Sequence, residues 1–124
     1  MPVERAMTAY TQERLNCAQS VLRGFQQRHN LSEDLIEEAR WHGGGRAKEG
    51  MCGALYAALS LVGDPPVRER VRDAFAKSVG SEKCRDIKRD MRVPCHECVR
   101  LAAKLLAEQT PGTSALQPNK EAQT

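Results

Sequence analysis

Aromatic side chains and long apolar runs are scarce in this sequence of 124 residues. Aromatic residues make up 4% of the chain, so a core must be built mainly from Leu, Val, Ala and Met, a composition that suits closely packed helices. No stretch approaches the roughly 20 apolar residues of a membrane-spanning helix. The first residues also lack the apolar run of a signal peptide. We therefore expect no membrane insertion and a cytoplasmic location.

A strong excess of one charge is also missing. The net charge is +3 with 28% charged residues, and the two signs alternate over residues 68–73, as on a solvated helix face. A nucleic-acid-binding protein usually gathers a larger basic excess on one face, with aromatic residues among it. We therefore expect no nucleic-acid partner.

Strand patterns are absent, whereas apolar residues recur at three- and four-residue spacing along most of the chain. The spacing predicts an all-α fold, a small single-domain helical bundle of about five to six helices. The bundle is expected over residues 1–109, with a disordered tail over residues 110–124 that is rich in small and polar residues. The predicted helices span about 3–28, 33–41, 50–63 and 66–79, with a short helix after Ser81 and a last one from about Pro94.

Helix ends are predicted at residues that favour them. Ser32 and Ser81 are expected to cap the N-termini of the second and fifth helices, and Asn30 and Gly80 are expected to end the first and fourth. Within the second helix, Leu35, Ile36 and Ala39 are expected to face inward. The third helix is apolar on almost every side, which fits burial within a monomer and equally burial in a homodimer.

Cysteines are the residues of this sequence best suited to carry out chemistry or to bind a metal. There are five, an odd number, at Cys17, Cys52, Cys84, Cys95 and Cys98. In a reducing compartment they favour catalysis, metal binding or redox switching over a structural disulfide framework. Cys52, Cys84 and Cys95 are each predicted in the first turn of a helix, where unpaired N–H groups and the helix dipole stabilise a thiolate. Cys17 is predicted in the middle of the first helix, a position that suits an inert buried cysteine equally well.

Cys95 and Cys98 form a C-x-x-C motif at a predicted helix start. Such a pair can close a reversible disulfide or supply half of a metal site. It is not a c-type haem motif, because Val99 stands where that motif has histidine. No second C-x-x-C is present to make a zinc ribbon, and no βαβ pattern surrounds the motif as in thioredoxin.

A glycine run, Gly43–Gly45, precedes Cys52. It lacks the spacing of a phosphate-binding loop. We therefore favour a tight turn that allows close packing around Cys52 over a cradle for an anion.

Four segments in order resemble the C_GCAxxG_C_C family, which is named for its cysteine pattern. They are residues 16–22, 43–55, 75–87 and 95–106. The resemblance implies a helical protein that is described as redox-active on the strength of four cysteines, with members often encoded near transporter genes. By position these cysteines are Cys17, Cys52, Cys84 and Cys95. The chain departs from the family at Ala57, where glycine is usual, and at Cys98, where an aromatic residue is common.

The sequence leaves three hypotheses open. The first is a thiol redox protein in which the four family cysteines converge at one end of the bundle. Cys95 or Cys52 would then attack, Cys98 would act as a resolving thiol, and the partner would be a redox protein or a small thiol or disulfide. The second is a metal-binding protein that holds an iron–sulfur cluster or zinc through Cys17, Cys52, Cys84 and Cys95. The third is a non-catalytic helical binding module in which the cysteines only pack.

Overall fold

A computed structural model describes residues 2–42, 48–89 and 91–109. These residues form eight α-helices and two short 3₁₀ turns, at Ala39–His42 and Lys48–Gly50. The helices are α1 Pro2–Gln12, α2 Cys17–Gly24, α3 Gln26–His29, α4 Glu33–Glu38, α5 Gly53–Ser60, α6 Pro65–Val79, α7 Cys84–Arg89 and α8 Cys95–Gln109. Over the same residues there is no β-strand, only an isolated antiparallel bridge between Met51 and Lys83. The prediction of an all-α fold is confirmed.

The single helix predicted over residues 3–28 is wrong, because the chain breaks it into α1, α2 and α3. Arg14 adopts a left-handed conformation with φ of 60°. The Asn16 side chain then accepts a hydrogen bond from the Gln19 N–H at 2.7 Å, and the Gln19 side chain accepts one from the Asn16 N–H at 3.2 Å. This reciprocal capping box starts α2. As a result Cys17 is the first residue of a helix and not the middle of one.

Residues that act locally set most other helix ends as predicted. Asn30 ends α3 and Gly80 ends α6, each in a left-handed conformation, and the Ser32 hydroxyl accepts the Leu35 N–H at 3.2 Å. The cap predicted at Ser81 is wrong: its hydroxyl accepts the Lys83 N–H at 3.0 Å in a turn, and α7 starts later, at Cys84.

One predicted core residue of the second helix lies outside the core. Ile36 and Ala39 are buried as predicted, but the Leu35 side chain is 42% exposed. The α4 helix has six residues, so it is too short to bury more than one narrow face. Ile36 occupies that face, and Ala39 follows in the 3₁₀ turn.

The helices α5 and α8 form the centre of the bundle. The α8 helix packs against α1, α2, α5 and α6, and α5 also packs against α2. The almost wholly apolar third helix predicted from sequence is α5, and most of its residues are buried. Among the described residues, we find no helix with the length and apolar character needed to cross a membrane.

Two predicted features, the glycine turn at Gly43–Gly45 and the tail over residues 110–124, lie outside the described residues.

Candidate thiol site

One small cavity forms where the beginnings of several helices meet. Its lining is Cys17, Cys52, Cys84, Ile87, Lys88, Cys95 and Cys98. The cavity volume is about 10 Å³, close to the room that a single water molecule needs. The structure therefore brings together all five cysteines that the sequence singled out, and none of them is in a disulfide.

Four of these cysteines lie at helix starts. Cys17, Cys84 and Cys95 are the first residues of α2, α7 and α8, and Cys52 directly precedes α5. Cys98 lies one turn inside α8. Helix N-termini present unpaired N–H groups and the positive end of the helix dipole. The sulfurs are thus grouped at the positive ends of the helices that supply them.

The five sulfurs differ in how far solvent reaches them. Cys17, Cys52, Cys84 and Cys98 are 7%, 4%, 8% and 4% exposed, respectively. Cys95 is half-buried. All five lie in the described part of the chain, so Cys95 is the cysteine that a molecule from solution meets first.

Two polar side chains hydrogen-bond to the Cys95 sulfur. The hydrogen bond to Cys95 is the main reason why the pKa of Lys88 lies above its ordinary value. Burial, followed by a hydrogen bond to Cys95, raises the pKa of Tyr10 to about 12. An ammonium group next to a partly exposed sulfur is the environment of reactive cysteines.

Neither of these neighbours was predicted from the sequence. Lys88 follows Cys84 by four residues on a helix, a spacing that places two side chains on one face, so a signal was available. Tyr10 gave no comparable signal, because it reaches Cys95 only through the packing of α1 against α8.

Cys52 and Cys98 form a hydrogen-bonded pair of sulfurs inside the cavity. The pKa of Cys52 lies far above its ordinary value, first because its thiol donates a hydrogen bond to Cys98 and second because it is buried. The backbone N–H groups of Ala54 and Leu55 act in the opposite direction without outweighing these causes. The same hydrogen bond lowers the pKa of Cys98. In the hydrogen bond between the two sulfurs, Cys52 is therefore the donor and Cys98 the acceptor.

Cys84 is a third buried thiol with a raised pKa. Burial is the main cause that raises the pKa of its thiol, and the nearby Lys88 ammonium reduces this shift only in part. The neutral thiol is therefore the favoured form of Cys84.

The backbone of Cys52 is attached to the residues just before α7. Its N–H donates to the Glu82 carbonyl at 2.8 Å, and the preceding residue, Met51, forms the bridge with Lys83. The Lys83 ammonium also donates to the Glu49 carbonyl at 2.6 Å. These contacts fix the segment before α5 against the segment that leads to Cys84.

The predicted metal ligands, Cys17, Cys52, Cys84 and Cys95, share the cavity but do not form a metal site as they stand. Among the side chains that the structure describes, no group of three or more His, Cys, Asp or Glu residues is arranged to hold a metal ion.

Comparison with known proteins identifies the family. Residues 15–109 match the family model C_GCAxxG_C_C, whose description reads "Putative redox-active protein". No curated protein and no solved structure matches the chain. The matched segment contains all five cysteines and helices α2 to α8, whereas Tyr10 lies before it. The chain belongs to the C_GCAxxG_C_C family.

Proposed function

We propose that this protein is a thiol redox protein in which Cys95 attacks and Cys98 resolves. The observation that supports it is the environment of Cys95. Its sulfur is half-buried, hydrogen-bonds to Lys88 and Tyr10, and has four buried sulfurs behind it. The partner is a small-molecule or protein disulfide that presents a sulfur atom at the surface next to Cys95.

The proposed reaction is an exchange in two steps. The Cys95 thiolate attacks one sulfur of the partner disulfide, whose S–S bond breaks, and half of the partner leaves as a thiol after taking up a proton. The Cys98 sulfur then attacks the Cys95 sulfur and forms the Cys95–Cys98 bond, which releases the second half of the partner as a thiol. Two electrons pass from the two cysteines to the partner, and their two protons end on the two thiols released.

The same geometry disfavours Cys52 as the attacking residue. Cys52 is 4% exposed, and burial together with its hydrogen bond to Cys98 raises its pKa. It is therefore both inaccessible and protonated at neutral pH. The alternative is a binding module in which the cysteines only pack. That alternative does not explain why the Lys88 ammonium and the Tyr10 hydroxyl both hydrogen-bond to Cys95.

The reaction of the reduced chain with glutathione disulfide tests the proposal. We expect Cys98→Ser to stop at a glutathione adduct on Cys95, and the unmodified chain to proceed to an internal disulfide, both identified by mass spectrometry after an acid quench. Cys95→Ser should react much more slowly than the unmodified chain. Equal reaction rates for Cys95→Ser and the unmodified chain would contradict the proposal.

Metal analysis tests the metal hypothesis separately. The full chain would be purified without oxygen and its iron and zinc content measured, with Cys52→Ser in parallel. Stoichiometric metal that is lost in Cys52→Ser would favour the metal site over thiol exchange.

A further inference from the structure

Cys98 has two sulfur neighbours in the cavity. One is Cys95, one turn earlier on the same helix. The other is Cys52, which comes from the segment before α5 and lines the same cavity as Cys98. A hydrogen bond between these two sulfurs shifts the pKa values of both. Cys52 and Cys98 are each only 4% exposed. A disulfide that includes Cys98 can therefore lie at the half-buried edge of the cavity or in its buried part.

The two pairings differ in what they require of the backbone. Residues three apart on a helix have Cβ atoms about 5–6 Å apart, whereas a disulfide joins Cβ atoms about 3.5–4.5 Å apart. A Cys95–Cys98 bond therefore requires the first turn of α8 to distort. Cys52 shares no helix with Cys98, so helix geometry sets no such spacing between them. Strained disulfides are the ones most readily broken by exchange.

We propose that the disulfide moves inward, so that the oxidised protein contains a buried Cys52–Cys98 disulfide and a regenerated Cys95 thiol. This inference rests on the proposed function and adds Cys52 to it as a third reacting sulfur.

The inward step is a thiol–disulfide exchange within the chain. Once Cys98 is in a disulfide, its sulfur no longer accepts the Cys52 proton, and the main cause of the raised Cys52 pKa is removed. The Cys52 sulfur then loses its proton, attacks the Cys98 sulfur and forms the Cys52–Cys98 bond. The Cys95–Cys98 bond breaks, and Cys95 leaves as a thiolate that takes up the proton given up by Cys52. No electrons leave or enter the protein in this step, since one disulfide replaces another. Lys88 and Tyr10 receive the departing sulfur, because both hydrogen-bond to Cys95.

Disulfide mapping tests this inference. The full chain would be oxidised with glutathione disulfide, left to reach equilibrium, quenched in acid, alkylated after denaturation and mapped by mass spectrometry. We expect Cys52–Cys98 as the main disulfide and Cys95 in the alkylated fraction. In Cys52→Ser we expect Cys95–Cys98 to accumulate. Cys84→Ser is the matched control, because Cys84 lines the same cavity, and it should keep the Cys52–Cys98 disulfide.

The outcomes separate this inference from the proposed function. Cys95–Cys98 as the main disulfide of the unmodified chain, with Cys52 alkylated, would overturn the inward step and leave the proposed function intact. The absence of both disulfides, with no glutathione on Cys95, would overturn both. The mapping of the unmodified chain decides the question without relying on the folding of any variant.

Discussion

At the scale of single residues, the cysteines of one cavity have opposite surroundings. The Cys95 sulfur is half-buried and meets the Lys88 ammonium and the Tyr10 hydroxyl. Burial raises the pKa of Cys84, and a donated hydrogen bond raises the pKa of Cys52 further. Burial without enough compensating charge favours the neutral thiol. The surroundings of each cysteine therefore leave Cys95 accessible to solvent and keep the other four cysteines buried.

The contribution of the ammonium group can be measured with Lys88→Met, which keeps much of the side-chain length. We expect alkylation of Cys95 by iodoacetamide at neutral pH to slow by about three- to tenfold, because Lys88 hydrogen-bonds to the Cys95 sulfur and a cation beside a cysteine increases its reactivity. The factor is modest because Lys88 is exposed and solvent screens its charge. Mass spectrometry of a quenched time course gives the rate.

Arg89→Met provides the control for this experiment, since Arg89 is the exposed neighbour of Lys88 on α7. It should leave the alkylation rate of Cys95 unchanged. An unchanged rate in Lys88→Met as well would show that the ammonium does not activate Cys95.

At the scale of helices, the sequence predicted boundaries that depend on local chemistry and missed those that depend on packing. Asn30, Ser32 and Gly80 act through their own backbone or side chain, and each behaves as predicted. The break before α2 was missed because apolar residues continue with helical spacing through both α1 and α2. Asn16 and Gln19 do carry the spacing of a capping box, but the left-handed residue, Arg14, is of a type that gives no warning.

The same distinction applies to the site. The four family cysteines were expected to converge, and the structure shows them, together with Cys98, around one cavity. Their separate surroundings could not be predicted, because the contacts of Cys95 with Tyr10 and of Cys52 with Cys98 join residues from distant elements. The roles proposed for the individual sulfurs stay predictions until the exchange experiments are done.

The close crossing of α1 and α2 gives a prediction at this scale. A Cβ atom at Gly24 would lie 2.5 Å from the Pro2 carbonyl oxygen and 2.8 Å from the Ala6 Cβ atom. We expect Gly24→Ala to lower the free energy of unfolding by about 1–3 kcal/mol, even though alanine favours helix formation by about 1 kcal/mol over glycine. Urea unfolding followed by circular dichroism measures the change.

Gly63→Ala is the matched comparison, because a Cβ atom there would meet nothing within 4 Å. Its free energy of unfolding should stay within about 0.5 kcal/mol of the unmodified chain. If Gly24→Ala unfolds at the same urea concentration as Gly63→Ala, the result would contradict the close packing of α1 against α2 at Gly24.

At the scale of the whole molecule, the thiol site unites distant parts of the chain. Tyr10 comes from α1, Cys17 from α2, Cys52 from the segment before α5, Lys88 from α7 and Cys95 from α8. The central helix α8 contacts most of the other long helices. A change of covalent bonding in the cavity therefore acts on the stability of the entire bundle.

This coupling predicts that oxidation stabilises the fold. A Cys52–Cys98 disulfide would close a loop that contains α5, α6 and α7. We expect it to raise the free energy of unfolding by about 2–4 kcal/mol, because a long closed loop restricts the unfolded chain. Urea unfolding of the oxidised and the reduced chain gives the difference.

Oxidised Cys52→Ser is the control, since a Cys95–Cys98 bond closes a loop of only a few residues and should contribute much less. Identical unfolding curves for the oxidised and the reduced unmodified chain would argue against the buried disulfide.

The hydrogen bond from the Cys52 N–H to the Glu82 carbonyl has a consequence for spectroscopy. An amide exchanges its proton with deuterated solvent only when its hydrogen bond opens. This amide is held by the segment that leads to Cys84 and Lys88, so it opens only if the two sides of the cavity separate. The hydrogen–deuterium exchange rate of the Cys52 amide therefore reports how often the sulfur cavity opens, and it can be measured in the native chain without an added label.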